Sequence, residues 1–537
     1  MENNFFSLIY PTQQAKENSV MKDRVPNISG RVCRELGLSE MLNLQNSDVC
    51  DYFTSDTSVI EYRQKTIADL IKIPELGKTL SDVIPILCDI LELRRLSDDM
   101  HNYADSYMYS ITEIELYTGA VNLLYNGISK VRDGISSPSF TQLYDIISSL
   151  ANSDYYKELC DNLKKLSART REIHSITVGV NLDNQMRPVE AGIISVNSEK
   201  FKSGKLLDKI LRMSFKNDAF TCIAELSPFN GNESDNQKEA MIGSFRRGLE
   251  DVFRHSVSEW RRICSGYVLD NTDFLLKILP EIEFVSKSAS LIRRLKEKGY
   301  SYVFPTICEE REKAFVTEKL FNPDIALRID EKVVDNDFKF DDEGRIYILS
   351  GPNRGGKSVI TCAVGIAQAM FQLGLPVSAE KAELSVVDAI FTHFPEGAED
   401  TIDKGRLGEE CARLHEIFEH VTENSMILLD ESLSSTGAYE ASYIAAEILA
   451  GFGSVGCRGI FSTHLHELAS HIEEINRLSS ENGGVKIDTL VAGIEEGIRS
   501  FKIVRKKPDG KSYAKDIANK YGLSFEELKK LSKKQGK

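Results

Sequence analysis

Gly351-Pro352-Asn353-Arg354-Gly355-Gly356-Lys357-Ser358 fits the pattern G-x-x-x-x-G-K-[ST], and its flanks decide the fold. Arg345-Ile346-Tyr347-Ile348-Leu349-Ser350 reads as a short buried strand running into the loop. Val359 to Leu373, closed by Gly374, reads as the helix that leaves it. Strand, glycine loop and helix are the three parts of a phosphate site, because glycines let backbone N–H groups converge on phosphate oxygens. In that frame Lys357 reaches the β- and γ-phosphates of a nucleoside triphosphate, and the Ser358 hydroxyl holds Mg2+.

Four further stretches follow in order. Met426-Ile427-Leu428-Leu429-Asp430-Glu431 is an apolar strand ending in two carboxylates, about seventy residues after the loop. Neighbouring residues at a strand end point to different sides, which suits two roles. Asp430 would hold Mg2+ through water, and Glu431 would orient or deprotonate the attacking water. Ile460-Phe461-Ser462-Thr463-His464 is a second apolar strand, ending in a histidine placed to contact the γ-phosphate or position the water. Lys404-Gly405-Arg406-Leu407-Gly408-Glu409-Glu410 opens a helix. Its N-terminus reads either as an anion site for a second nucleotide's γ-phosphate or as a plain helix start. Ser434-Ser435-Thr436-Gly437 is a polar turn, either a relay across a dimer interface or simply a loop.

The rest of the chain frames this region. At 537 residues it is too long for one core, so two to four domains are expected. Hydrophobic content of 42% and charged content of 27% are ordinary for a soluble globular protein. No apolar run of about eighteen residues predicts a membrane span. The start, Met1-Glu2-Asn3-Asn4-Phe5-Phe6, lacks the features of a signal peptide. The ten cysteines are scattered without a C-x-x-C pair, so neither zinc nor a disulfide framework is indicated, and a reducing cytoplasm fits.

The net charge of −15 argues against a protein coated in positive charge for nucleic acid. Residues 161–216 nonetheless hold eleven Lys/Arg against six Asp/Glu, either a phosphate-binding surface or a solvated helix face. Within that basic segment, 176–182 and 192–196 are β-like, with Asp183-Asn184 and Arg187-Pro188 as turn residues, so a small hairpin interrupts a helical region. Helical spacing covers about 55–160, including Val83 to Leu93 with its early proline, Ile111 to Leu124 and Phe140 to Leu150. It returns from about Lys238 to Gly266 and from Asn271 to Lys298.

Together these stretches resemble the ATPase domain of the MutS family of DNA mismatch-repair proteins, a branch of the ABC-type ATPases. Residues 351–358 resemble its phosphate loop, with Pro352-Asn353 and the double glycine. Asp388-Ala389-Ile390-Phe391-Thr392-His393, with Glu399-Asp400 and Lys404-Gly405-Arg406, resembles its D-x-I-F-T-R … D-D-x-x-x-G-R segment. Leu429 through Tyr439 resembles L-L-D-E-x-x-x-G-T-S-T-Y-D-G, Ser462 to Leu468 resembles T-H-x-x-E-L, and Ser512 to Leu523 resembles S-Y-G-I-x-V-A-x-x-x-G-L. The resemblance covers about 320–535 strongly and the helical region more weakly.

The resemblance implies a multidomain chain: a mainly α-helical core and lever with a small β-containing clamp insert, then an α/β P-loop (ABC-type) ATPase domain. The expected division is a capping segment at 1–50, the helical core and lever at 51–320 with the clamp near 165–235, the ATPase domain at 321–500 and a C-terminal helical dimerisation segment at 501–537. It implies ATP and Mg2+ as cofactors and double-stranded DNA, mismatched or structured, as partner. The assembly implied is a homodimer whose nucleotide state gates a DNA clamp. By proximity, Phe321 and Pro323 are candidates for the adenine-stacking residue.

Departures qualify this. Where the family has Ser-Thr-Phe after Gly-Arg, this chain has Leu407-Gly408-Glu409, so a hydroxyl that contacts the partner's γ-phosphate is absent. Ser435, Gly437 and Glu440 replace the family's Gly, Ser and Asp. No Phe-x-Glu mismatch motif is found in the first fifty residues, and no Smr domain is expected, so DNA is expected to be bound by shape and backbone. Two other readings stay open: an ABC-type ATPase serving a protein complex or transporter without DNA, and a nucleotide-binding scaffold of low turnover.

Overall fold

The computed structural model of the chain describes residues 5–20, 28–98, 105–171, 175–185, 188–197, 202–203, 221–222, 268–352, 354–394, 406–433, 435–465, 467–481, 483–495 and 498–507. It divides into two compact units: Met1–Gly77, Gly134–Thr141 and Pro280–Lys537 form one, and Lys78–Asp133 with Gln142–Leu279 form the other.

The second unit is helical with a β insert. The helices Asp105–Val131, Pro138–Asn152 and Asp154–Arg171 accompany most of Pro74–Asp98. Their apolar stripes meet: Val83, Leu87 and Ile90 are fully buried, as are Val121, Leu124 and Ile128. Pro85 stays inside its helix because it lies on the exposed side, away from that stripe. Arg94 joins two segments of this unit through Glu113 at 2.9 Å and Asp273 at 2.7 Å. The expected hairpin is present as β1 (Ser175–Leu182) and β2 (Pro188–Asn197), antiparallel. The Asp183 carboxylate accepts the Gln185 N–H at 2.8 Å and so shapes the turn. Lys202–Ser203 (β3) and Thr221–Cys222 (β4) form a minimal parallel pair. The basic helical stretch expected at 238–266 lies outside the described residues.

The first unit carries two sheets. Thr306–Cys308 (β5), Phe315–Leu320 (β6), Asn336–Phe340 (β7) and Lys381–Ser385 (β9) form a four-stranded sheet ordered β5-β9-β6-β7. Ile346–Ser350 (β8), Ile390–His393 (β10), Met426–Asp430 (β11), Arg458–Ser462 (β12), Ile487–Glu495 (β13) and Ile498–Arg505 (β14) form the second sheet, ordered β10-β11-β12-β8-β13-β14. Every residue of β8, β11 and β12 is buried. Strands covered on both faces read as unbroken apolar runs, which is why these three were legible in the sequence. All pairings in this sheet are parallel except β13–β14. The C-terminal segment expected to be helical from Phe501 therefore begins differently: Phe501 to Arg505 complete β14, paired with β13. Residues 508–537 lie outside the described set.

The N-terminal residues are built into this unit rather than trailing from it. Leu8 and Ile9 are fully buried. The Leu8 N–H and the Ser7 hydroxyl both donate to Glu281 Oε2 at 2.8 Å. The helix Gly30–Glu35 is capped by the Ser29 side chain, and Glu35 pairs with Arg413 at 2.6 Å. Arg413 also donates to the Thr392 carbonyl of β10 at 3.0 Å.

Candidate functional site

Parallel strands leave their carboxyl ends on one rim, and the register here aligns three of them. Asp430 lies opposite Ser462, and Ser462 lies opposite Leu349, so the ends of β11, β12 and β8 stand side by side. Ligands of open parallel sheets bind beyond such carboxyl ends.

From β8 the chain enters the glycine loop. A turn closes inside it, with the Gly355 N–H donating to the Pro352 carbonyl at 3.0 Å. Arg354 is exposed with φ 59, and Gly356 caps the following helix with φ 92, a conformation that L side chains resist. Asn353 lies outside the described residues. The helix begins at Lys357 and runs to Gln372. It starts two residues before the sequence pattern placed it, because the loop itself supplies the cap.

Lys357 is buried, and its ammonium donates to the Gly351 and Pro352 carbonyls, each at 3.2 Å. Burial pulls its pKa down, and the charges of Glu431 and Asp430 oppose that pull. Its Nζ is 3.4 Å from His464 Nδ1, and His464 Nε2 is 2.6 Å from Glu431 Oε1. An ammonium has only protons to give, so Nδ1 accepts from Lys357 and the Nε2–H donates to Glu431. His464 thus bridges the helix start and the acidic turn.

Asp430 and Glu431 diverge as adjacent residues at a strand end should. Asp430 is 6% exposed, and burial raises its carboxyl above the ordinary aspartate value. The neighbouring Ser358 and Ser462 hydroxyls and the Lys357 charge pull it back, while the Glu431 charge pushes it further up. Ser462 in turn shares a 2.8 Å hydrogen bond with Thr361 of the loop helix. Asp430 Oδ1 is buried without a hydrogen-bond partner. An orphaned carboxylate oxygen beside a serine hydroxyl is a hard-oxygen donor pair, which fits a Mg2+ ion completed by phosphate oxygens. Glu431 leaves the strand at φ 49 with its side chain 37% exposed, facing His464.

β12 ends at Ser462, two residues short of the histidine, so His464 reaches the site from the turn beyond the strand. Gly355, Gly356, Lys357, Ser358, Asp430, Glu431 and His464 are brought together. The helix expected near residue 404 runs from Arg406 to His420, with 404 and 405 outside the described residues. Leu407 of that helix packs against the main apolar core. Ser434 also lies outside the described residues.

Beside the loop is a cavity of about 310 Å³, lined by Phe321, Asn322, Ile329, Gly356, Val359 and Phe501 among others. Phe321 stacks on Tyr300 at 4.6 Å between ring centroids. Pro323 is the first residue of the helix Pro323–Arg328, buried, and not part of the lining. Phe321, a candidate by proximity, thus lines the cavity together with Phe501, which no sequence pattern singled out and which β14 delivers from 180 residues away. No local pattern announces such a residue.

The fold and site have the parts of a phosphate-binding site of the glycine-loop class: a glycine loop between a central strand and a helix, with an acidic pair on a nearby parallel strand. The comparisons refine this class. The family model for MutS domain V matches residues 347–534, and that for the MutS2 N-terminal domain matches residues 55–298. The chain is 30% identical over 289 residues to the DNA mismatch repair protein MutS of Thermosipho melanesiensis, covering 51% of this chain and 33% of that protein. It is 32% identical over 200 residues to the Endonuclease MutS2 of Thermus thermophilus, covering 37% of this chain and 25% of that one. It is 29% identical over 326 residues to the MutS of Thermotoga neapolitana, covering 59% of this chain and 37% of that protein. The chain belongs to the MutS family, a family of ATPases of the DNA mismatch-repair type. The matched stretches span less than two fifths of these relatives' own lengths.

Proposed function

We propose that this protein binds ATP with Mg2+ at Gly351–Ser358 and hydrolyses it, and that the cycle gates a homodimeric clamp on double-stranded DNA, mismatched or structured. The observation that carries the reading is the convergence of Lys357, Ser358, Asp430, Glu431 and His464 at the carboxyl ends of neighbouring parallel strands.

In this reading the backbone of Gly351, Pro352, Asn353, Arg354, Gly355 and Gly356 surrounds the phosphates. Lys357, already desolvated, offers its ammonium to them at little further cost. Ser358 and Asp430 hold Mg2+, which when bound neutralises phosphate charge and draws electrons from the bond that breaks. Glu431 orients the attacking water and takes its proton. His464 fixes the Glu431 carboxylate through its Nε2–H and, through Nδ1, ties that position to Lys357. The cavity lined by Phe321 and Phe501 takes the adenine.

DNA as partner is supported by the relatives named DNA mismatch repair protein MutS, by the β1–β2 hairpin and by the basic excess of 161–216. No described helix is long and apolar enough to cross a membrane. The scattered cysteines, without a C-x-x-C pair, support a reducing cytoplasm as its place. A second reading, a nucleotide-binding scaffold of low turnover, is favoured by Leu407, which packs into the core where the family has a phosphate-contacting serine nearby.

Steady-state ATP turnover separates the two. Glu431→Gln is expected to slow turnover by about 10²- to 10⁴-fold with nucleotide binding kept; a wild type as slow as the variant establishes the scaffold. DNA binding at low salt, with and without ATP, tests the clamp. Failure to bind homoduplex, mismatched or branched DNA under any of these conditions removes DNA from the proposal and favours an ABC-type ATPase serving a protein complex or transporter.

A further inference from the structure

Glu431 is not held in place by its own strand. β11 ends at Asp430, and the chain then turns with Glu431 at φ 49 and Leu433 at φ 65. Neither residue is glycine, and L side chains disfavour this conformation, so surrounding contacts must impose it. Leu433 is anchored by burial, at 1% exposed within the main core. The Glu431 N–H donates to the Ser462 carbonyl at 2.9 Å. Between the two left-handed residues stands Ser432, 4% exposed, with its Oγ 2.7 Å from His393 Nδ1 and 3.4 Å from the His393 carbonyl.

His393 is the last residue of β10, itself 4% exposed and in register with Leu429 of β11. Apolar burial of Leu433 keeps the turn against the core but is non-directional. The bond at Ser432 is directional, because a hydroxyl facing one ring nitrogen permits a narrow range of angles. It acts one residue from Glu431, whose carboxylate must meet the His464 Nε2–H at 2.6 Å. A change in the angles of this turn swings the longer glutamate side chain through a wider arc.

We propose that His393 is a positioning residue. By gripping Ser432 it sets the left-handed turn and so aims the Glu431 carboxylate at His464 and the reacting water. The proposal rests on the hydrolytic role given to Glu431 above.

The test uses the full chain and three variants. His393→Ala and Ser432→Ala remove the grip. His393→Asn keeps it, since the side-chain amide oxygen can stand where Nδ1 stands and accept the serine hydroxyl. In His393→Ala and Ser432→Ala, kcat is expected to fall about tenfold or more with KM for Mg-ATP within about twofold, because the loss falls on the transition state and not on uniform binding. His393→Asn restores most of the rate. In a Glu431→Gln background the same two substitutions change the residual rate little, because the group they aim is no longer a base. An equal loss in that background, or a KM rising in step, reduces His393 to a packing residue and overturns the proposal.

A second readout does not need turnover. The ring 13Cε1–1H resonance of His464, assigned with a His464→Ala control, is expected to move in His393→Ala, Ser432→Ala and Glu431→Gln and to stay in His393→Asn. An unmoved resonance in the first two overturns the proposal even if turnover falls. If wild type turns over no faster than Glu431→Gln, the hydrolytic reading has failed, and this resonance alone decides whether His393 aims Glu431.

Discussion

Gly365 sits two turns into the loop helix, where it faces β11. A Cβ at this position would lie 2.4 Å from Leu428 Cδ1, 2.9 Å from Leu36 Cδ2 and 3.3 Å from Leu36 Cδ1. Carbon atoms rest at about 3.5–4.0 Å, so Gly365→Ala is roughly 1 Å short of room on the strand side. Neither leucine can rotate freely, because Leu428 is 0% and Leu36 2% exposed. Overpacking of this kind costs about 1–3 kcal/mol. Alanine recovers about 0.8–1.0 kcal/mol of helix propensity over glycine. The net loss of stability is thus modest, roughly 0–2 kcal/mol. Function should suffer more. Leu428 is two residues before Asp430, while Lys357 and Ser358 begin the same helix, so a retreat of the helix separates Ser358 from Asp430. A misplacement of about 1 Å can cost on the order of 10²-fold in rate. We therefore expect Gly365→Ala to lose turnover at saturating Mg-ATP far out of proportion to its small shift in urea denaturation. Adding Leu36→Ala opens space on one side and should recover part of both losses, a coupling that a double-mutant cycle measures. A Gly365→Ala protein with full turnover and wild-type stability refutes the reasoning, since helix and strand would then not meet at this glycine.

Three further outcomes follow from the same geometry. Burial raises the Asp430 pKa above its unfolded value, so its contribution to stability is fully present at low pH and is lost as pH rises through the folded-state value. Asp430→Asn should accordingly be more stable than wild type at neutral pH without divalent cations, with a gap that narrows on acidification and with Mg-ATP binding lost; a variant less stable at neutral pH contradicts this. Phe501 lines the cavity yet is 43% exposed, so Phe501→Ala should leave stability nearly unchanged. It should weaken ATP binding by about 1–3 kcal/mol, the worth of one aromatic stack on a base, in fluorescence titration, with kcat at saturation preserved. Glu35 and Arg413 have side chains only 14% and 16% exposed, so Glu35→Gln should cost about 1.5–3 kcal/mol in denaturation, the range for hydrogen bonds to charged groups. Wild-type stability there would show that the N-terminal helix is not docked through this pair.

The site was unevenly legible. Lys357, Ser358, Asp430 and Glu431 lie in stretches whose local pattern announces them, because phosphate binding demands a glycine loop and buried parallel strands demand unbroken apolar runs. His464 was legible as a histidine after such a run, although the strand stops at Ser462. His393 was quoted only as part of a resemblance, since nothing local connects a histidine at one strand end to a serine 39 residues away. Phe501 was placed in a helix only because the resemblance implies a C-terminal helical dimerisation segment. Pairing of Ile498–Arg505 with β13 makes it a strand residue instead, a partnership set by tertiary context.

By itself, the sequence determined that a strand, a phosphate loop and a helix exist at 345–373, that two carboxylates and a histidine end later apolar runs, and that a hairpin breaks the helical region. These are decided within a few residues by steric and burial periodicity. Only the tertiary structure decided that β12 lies between β8 and β11, with Ser462 beside Asp430 and His464 between Lys357 and Glu431. Only it decided that Phe501 closes a cavity beside Gly356 and that the N-terminal helix packs at Gly365. Such juxtapositions depend on strand order and close packing among distant segments, where each contact is set by the shapes of several chain segments at once and by no single stretch of sequence.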